Sequence, residues 1–309
     1  MRIEDDPTVL DRASEDIEKI ENLPKGILGL NCSFNEIKKI ENLPKSLLKF
    51  YCMGNSINRI ENLPKKLEIF YCWENRISRI EGLPKGLKEF NCEENYISFI
   101  ENLPESLLIL NCNDNPIDTI ENLPEGLLDF DCDFTRIRII ENLPFGLKSF
   151  GCSGTGVIEI ENLPEGLENF CCSYTSVSVI ENLPEGLLSA NFQDARITKI
   201  ENLPDSLYEF CCQQSDISVI ENLPIGLTAF WFSKENIKFV DDIPFDDINF
   251  TLKGYNAIKR IRLRMKRRYR LKDSAARVIQ KGLYNWLWKP EGIVMRIETR
   301  NLRETLGMF

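Results

Sequence analysis

The sequence predicts a repeat solenoid: a horseshoe-shaped superhelix with a parallel β-sheet on its concave face, an extended or turn-like convex side without helices, and a C-terminal α-helical tail. Three observations lead there. Ile-Glu-Asn-Leu-Pro starts at Ile20, Ile40 and Ile60 and then at every twentieth residue from Ile100 to Ile220, with the variants IEGLP at Ile80 and VDDIP at Val240. Twelve starts at one spacing, without a slip, mean stacked copies of one supersecondary unit. Each unit also holds a stretch such as Lys49-Phe50-Tyr51-Cys52, whose apolar residues alternate with the two-residue period of a half-buried strand. Finally, the charge divides along the chain. Residues 1–250 carry 22 Lys+Arg against 44 Asp+Glu, and residues 251–309 carry 16 against 4, which marks a basic tail with its own role.

From the N-terminus, residues 1–19 read as a cap and half repeat, 20–261 as about eleven to twelve twenty-residue units, and 262–309 as the basic helical tail or cap. The opening MRIEDDPTVL is acidic and lacks the apolar run of a signal peptide. Within a unit such as Leu47–Pro64, Phe50 and Cys52 point inward from the strand. Asn55 stands where the chain leaves the strand, with an amide able to satisfy backbone groups of its own turn and of a neighbour. Ile57, Ile60 and Leu63 fill the coil, and Pro64 fixes φ and lacks an N–H, so the return arm is not helical. One unit cannot bury its own apolar edge, so stacking makes the core.

Cys32, Cys52, Cys72, Cys92, Cys112, Cys132, Cys152, Cys172 and Cys212 all fall in one inward slot. Stacking sets such residues about 4.8 Å apart in a core column. Free cysteine serves there as a small apolar side chain, and a column of equivalent slots does not suit pairwise disulfides, which implies a reducing, intracellular setting. Neither CxxC nor histidine accompanies them, so no metal site is read. At 190–192 the usual Phe-x-Cys becomes Ala190-Asn191-Phe192, so bulk lost at one inward slot returns at the next. The asparagine column runs from Asn35 to Asn115, continues as Thr135, Thr155 and Thr175, and reaches Ala195, where a looser turn is expected. The last unit (Phe250, Leu252, Asn256, Ile258, Ile261) fits with one inserted residue.

The aligned unit, Leu-x-x-Phe-x-Cys-x-x-Asn-x-Ile-x-x-Ile-Glu-Asn-Leu-Pro-x-x, resembles the leucine-rich repeat over roughly residues 13–261. Its length and Leu-Pro step are similar to the short bacterial LPX effector class, and its IENLP wording and cysteine slot more closely resemble repeats encoded by giant DNA viruses. The resemblance implies a concave binding sheet and an intracellular setting, either host cytoplasm or virion for a viral protein. Effectors of that class carry a ubiquitin-ligase domain with a catalytic cysteine. Here the last cysteine is Cys212, inside the repeats, so ligase activity does not carry over.

Outward strand slots line the expected concave face. Early turns present Tyr51, Met53, Tyr71 and Trp73, and middle turns present Glu89, Glu93, Asn111, Asn113, Asp129, Asp131 and Asp133. Aromatic anchors beside charges suit a protein interface, and the exposed apolar cluster points the same way. The bland reading is a solvated face with incidental aromatics. Asp129, Asp131 and Asp133 have the donor type for a hard cation, but such spacing arises freely in repeats and the chain has no histidine to act as base. Neither catalysis nor a cofactor is expected. Cys171 and Cys211 occupy outward slots two turns apart, about 9.6 Å by strand spacing, beyond disulfide reach.

The tail packs nine basic residues between Lys259 and Lys272, among Ile261, Leu263, Met265, Tyr269 and Leu271. Asp273 or Ser274 caps a second helix with Ile279, Leu283, Trp286 and Leu287 on one face, ended by Pro290. Capping the open end of the solenoid is its plainest role. Candidate tail contacts are Arg264, Arg267, Arg268, Ile279, Gln280 and Trp286. Ala275–Gln280 with Lys289 resembles a calmodulin-binding IQ motif, although Tyr284 and Asn285 stand where that motif wants Arg and Gly. The expected function is a non-enzymatic protein-interaction scaffold. The alternative is a nucleic-acid-associated or calmodulin-type adaptor acting through residues 253–289, in which the basic run neutralises phosphates. The acidic solenoid opposes that, since the tail is equally able to dock on the chain's own acidic face.

Overall fold

The structure, a computed structural model, describes residues 8–233 together with 239–240 and 243–244, apart from residues 81, 161, 181–182, 201–202, 221–222 and 225. One short strand per turn, from Val9–Asp11 through Lys49–Tyr51 and Asp129–Asp131 to Ala229–Phe232, builds a 12-stranded sheet in chain order. All pairings in it are parallel and in register at a shift of twenty residues: Phe50 lies opposite Phe70, and Leu110 opposite Phe130. The return arms contain no helix among the described residues. They carry a second, broken parallel ladder at the Ile slot, as two-residue strands pairing Ile100 with Ile120 and Lys199–Ile200 with Val219–Ile220, and as single bridges Ile60–Ile80 and Ile160–Ile180. Ile, β-branched, suits that extended wall. Pro supplies the bend before the next strand, its carbonyl accepting from the Leu N–H three residues on, as in Leu67 N–H to Pro64 O at 3.1 Å.

The core is a set of columns. Phe50, Phe70 and Phe90 stack with ring centroids 5.6–5.7 Å apart, as do Phe130, Phe150 and Phe170. The exchange at 190–192 behaves as a volume swap: Phe192 is fully buried and meets Phe170 and Phe210 edge-on at 5.7 and 5.8 Å. All nine column cysteines are buried and free. Burial pushes their thiols up, Cys32 to about 12, so they remain protonated.

The asparagine column fastens one turn to the next. Asn75 Oδ1 accepts from Ile57 N–H of the preceding turn, while its Nδ2 reaches Cys52 O of that turn and Cys72 O and Trp73 O of its own. Asn55, Asn95 and Asn115 repeat the pattern. From Thr135 onward the hydroxyl donates within its own turn, to Cys132 O at 2.7 Å and likewise at Thr155, Thr175 and Ser215. At Ala195, where a looser turn is expected, the inter-turn bond that Arg76 N–H makes to Ile57 O and Arg136 N–H makes to Ile117 O has no counterpart at Arg196 among the described residues. Ala195 is buried, its own N–H donates to Phe192 O, and Asp194 N–H still reaches Gln213 O at 2.9 Å.

Backbone conformation explains the second asparagine of the unit. Asn42, Asn62, Asn102 and Asn122 have φ of 53–59°, the left-handed region that Asn tolerates, and the variant residue Gly82 sits at 65°. A second left-handed position precedes the asparagine column, as Phe34, Gly54, Glu74, Glu94 and Asp114. The final unit and the tail, with Arg264, Arg267, Arg268, Ile279, Gln280 and Trp286, lie outside the described residues.

Candidate functional site

Alternation along each strand sends one side chain into the coil and its neighbours onto the outer face of the long sheet. Successive turns therefore set Tyr51, Tyr71, Asn91, Asn111, Asp131, Gly151 and Cys171 in one row. The exposure expected for the first two aromatic turns is partly overturned. Tyr51 is 7% exposed and Met53 6%. Neighbouring rows lie one strand spacing apart, so large side chains cover each other. Tyr51 packs edge-on to Tyr71 at 5.4 Å, and Met53 Sδ lies 3.2 Å from Ser33 Oγ. In these early turns the reachable aromatics are Phe34, Tyr71 and Trp73, and at the far end of the same outer row Trp231 is exposed. Phe34, half exposed and 5.7 Å from Trp73, had not been singled out in the sequence, because it sits in a left-handed turn rather than in a strand slot.

Side-chain bonds run laterally from here into the acidic turns. Tyr71 hydroxyl donates to Glu89 Oε2 at 2.6 Å. Burial and that bond push the phenol up, fixing it as a donor. Asn111 Nδ2 donates to Glu93 Oε2 at 3.1 Å, and Asn113 Oδ1 accepts from Asp133 N–H at 2.6 Å. Asp133 Oδ1 in turn accepts from Ser153 N–H. Asp131 lies against Gly151, where a Cβ would fall 1.9 Å from its Oδ1. All three aspartates are half buried and their carboxyls are pushed up, chiefly by desolvation. Asp131 reaches about 6, raised also by Asp133 and held back by Asn113. Among the described residues, no ion pair reaches Glu89, Glu93, Asp129, Asp131 or Asp133.

Asp129, Asp131 and Asp133, which have the donor type for a hard cation, are not a converging set among the described residues. The carboxylates that converge within 4.8 Å are Glu93, Glu94 and Asp114, at the strand exit. Beyond the acidic turns the face becomes small and polar, with Ser153 and Ser173 buried beside Cys171. Cys171 Sγ is 3.0 Å from Ser153 Oγ. Cys171 and Cys211 are both free and half buried.

This stack of turns matches solved structures of leucine-rich-repeat proteins. The chain has the leucine-rich-repeat fold. It is 22% identical to InlJ from Listeria monocytogenes, whose functional domain includes a cysteine ladder, at a TM-score of 0.65, with 73% of this chain matched to 53% of that one. It is 22% identical to YopM from Yersinia enterocolitica, at a TM-score of 0.52, with 74% matched to 60%. It also resembles a chain from an octameric complex of latrophilin 3, Unc5D and the leucine-rich-repeat protein FLRT2, at 17% identity and a TM-score of 0.53, with 75% matched to 85%. The chain thus spans little more than half the length of the InlJ and YopM chains. No family model and no curated protein matches the sequence. No helix of the described residues is long and apolar enough to cross a membrane.

Proposed function

We propose that this leucine-rich-repeat solenoid is a non-enzymatic scaffold that binds a protein partner on the outer face of its long sheet, over Tyr71, Trp73, Glu89, Glu93 and Asp129–Asp133. One observation carries the reading: reachable rings and half-buried carboxylates are each pinned against a nearby turn, Trp73 on Phe34, Tyr71 on Glu89, Asn111 on Glu93 and Asp133 N–H on Asn113, so the surface is held in one arrangement before a partner arrives. Pre-ordered aromatic and polar groups lower the entropy cost of association. The octameric complex containing FLRT2 is support of the same kind, since a chain with this fold takes part in a protein assembly there.

The cysteine column fits a reducing, intracellular site of action, in host cytoplasm or virion if the resemblance to viral repeats reflects origin. The basic tail, residues 262–309, caps the coil or meets a second partner. The test is affinity capture with the full chain, comparing wild type, Trp73→Ala with Tyr71→Ala, and a control at Phe145 on a return arm. Loss of one defined partner from the sheet variant alone supports the proposal. Equal capture by all three overturns it. Capture that collapses with salt and with charge reversal at Arg264, Arg267 and Arg268, but ignores Trp73, transfers the function to the tail.

A further inference from the structure

We propose that the basic segment 259–272 of this chain is itself an occupant of the acidic part of the sheet face, covering Glu93, Asp131 and Asp133 in cis and competing with the external partner. The inference rests on the reading of that face as the binding surface and goes further by naming a ligand chemistry and a form of regulation.

Four observations converge. From Ile69–Tyr71 to the last strand, no outward slot of the sheet carries Lys or Arg, whereas five carboxylates lie between Glu89 and Asp133. Those carboxylates are all half buried yet paired with no cation among the described residues, and desolvation pushes the three aspartates up. A guanidinium delivered there replaces lost hydration with charge-assisted hydrogen bonds. The half-exposed rings of Tyr71 and Trp73 border the same stretch, and aromatic rings attract cations. Lastly, segment 259–272 has nine basic residues and no acidic one, and from Arg260 to Lys266 basic and apolar residues strictly alternate, which gives an extended chain one cationic edge.

Reach decides whether one chain suffices. Fourteen residues, fifteen chain steps, lie between Pro244, in the last described strand, and Lys259, a span of up to about 50 Å when extended. Five strand steps separate Ala229–Phe232 from Asp129–Asp131, and seven separate it from Glu89–Asn91. At about 4.8 Å per step these are about 24 and 34 Å, and crossing from the back ladder to the sheet face adds about 10 Å. The connection is long enough for both.

The experiment uses full-length chains and a labelled synthetic peptide of residues 259–272. The peptide is titrated into four proteins: wild type; Arg264→Ser/Arg267→Ser/Arg268→Ser; that triple variant with Asp131→Asn/Asp133→Asn; and that triple variant with Glu125→Gln/Glu165→Gln, which removes equal charge at the return arms. If the cis segment holds the face nine-tenths of the time, its weakening tightens peptide binding about tenfold over wild type. The aspartate changes then abolish the gain and the glutamate changes leave it. Equal affinity for wild type and triple variant, or equal losses from the two acid pairs, overturns the proposal. Carbodiimide coupling separates cis from trans. Amide links from Lys259, Lys266 or Lys272 to Glu93, Asp131 or Asp133 are expected within single chains at a yield independent of concentration, and links found only between isotopically distinct chains overturn it. If these tests fail while capture of a partner still depends on Trp73, the cis occupant is wrong and the sheet-face scaffold stands. If that dependence also fails, both fall.

Discussion

Removing one interior asparagine of the column tests the mechanism that holds the turns together. Asn75→Ala deletes four contacts: Ile57 N–H to Oδ1 at 3.0 Å, and Nδ2 to Cys52 O, Cys72 O and Trp73 O at 2.9, 3.1 and 3.2 Å. The losses are unequal. Cys52 O keeps Asn55 Nδ2, Cys72 O keeps Asn95 Nδ2, and Trp73 O keeps Gly54 N–H. Ile57 N–H, on a fully buried residue, is left with no acceptor. An orphaned buried donor costs about 1–3 kcal/mol, and the three shared carbonyls add about 1 kcal/mol together, so about 2–4 kcal/mol is expected. Thr135→Ala deletes one bond, to Cys132 O within the same turn, and is expected to cost about 1 kcal/mol. Urea unfolding followed by far-ultraviolet circular dichroism measures both, because stability in a stacked array sums unit and interface terms. A cost for Asn75→Ala no larger than that for Thr135→Ala would refute the claim that this column joins neighbouring turns.

Other outcomes follow from single features. Asn102, with φ of 53°, should tolerate Gly with little change but lose about 1 kcal/mol as Ala, read by the same unfolding curves. A thiol-reactive dye on the native chain should modify Cys171 and Cys211 and spare the other nine cysteines until urea is added. Asp131 has its folded pKa raised to about 6, so the native state binds the extra proton. Its stabilising contribution is therefore present below the unfolded value of about 4 and is lost as pH rises through about 6. Asp131→Asn should accordingly raise the melting temperature at pH 7.5 and change it little at pH 4. For a half-buried group screened by solvent the gain is about 1 kcal/mol, or about 2–4 °C.

The coil was legible because one spacing encodes it. A residue inward at Phe50 is inward at Phe70 and Phe90, so twelve copies average out the ambiguity of any one. The roles of Asn75 and Pro64 followed from which backbone groups a turn must satisfy. Burial on the outer face did not follow. Period-two alternation says to which side Tyr51 and Met53 point, whereas exposure depends on what the adjoining turns place beside them, here Tyr71 and Ser33. The left-handed residue before the asparagine column was hidden for another reason. Phe34, Gly54, Glu74 and Asp114 share a φ near 50–60° but no side-chain chemistry, so no residue type signals it. The Ile-slot ladder was invisible because its pairing comes and goes from turn to turn.

Two changes occur at almost the same place. Asparagine gives way to threonine after Asn115, and the outer row passes from Asn111 and Asp131 to Gly151 and Cys171. The first acts inside the coil, exchanging bonds between turns for bonds within a turn. The second acts on the surface, exchanging charged groups for small ones. They stay compatible because adjacent residues of a strand face opposite ways: Phe130 and Cys132 are buried in the columns, while Asp129, Asp131 and Asp133 lie on the outer face. A substitution at Asp131 therefore leaves the Phe130–Phe150 stack intact, and a change in the columns reaches the surface only by moving a whole turn. That separation lets a rigidly repeated interior carry a surface that repeats nowhere, and it places the search for a partner in the outer rows rather than in the IENLP signature.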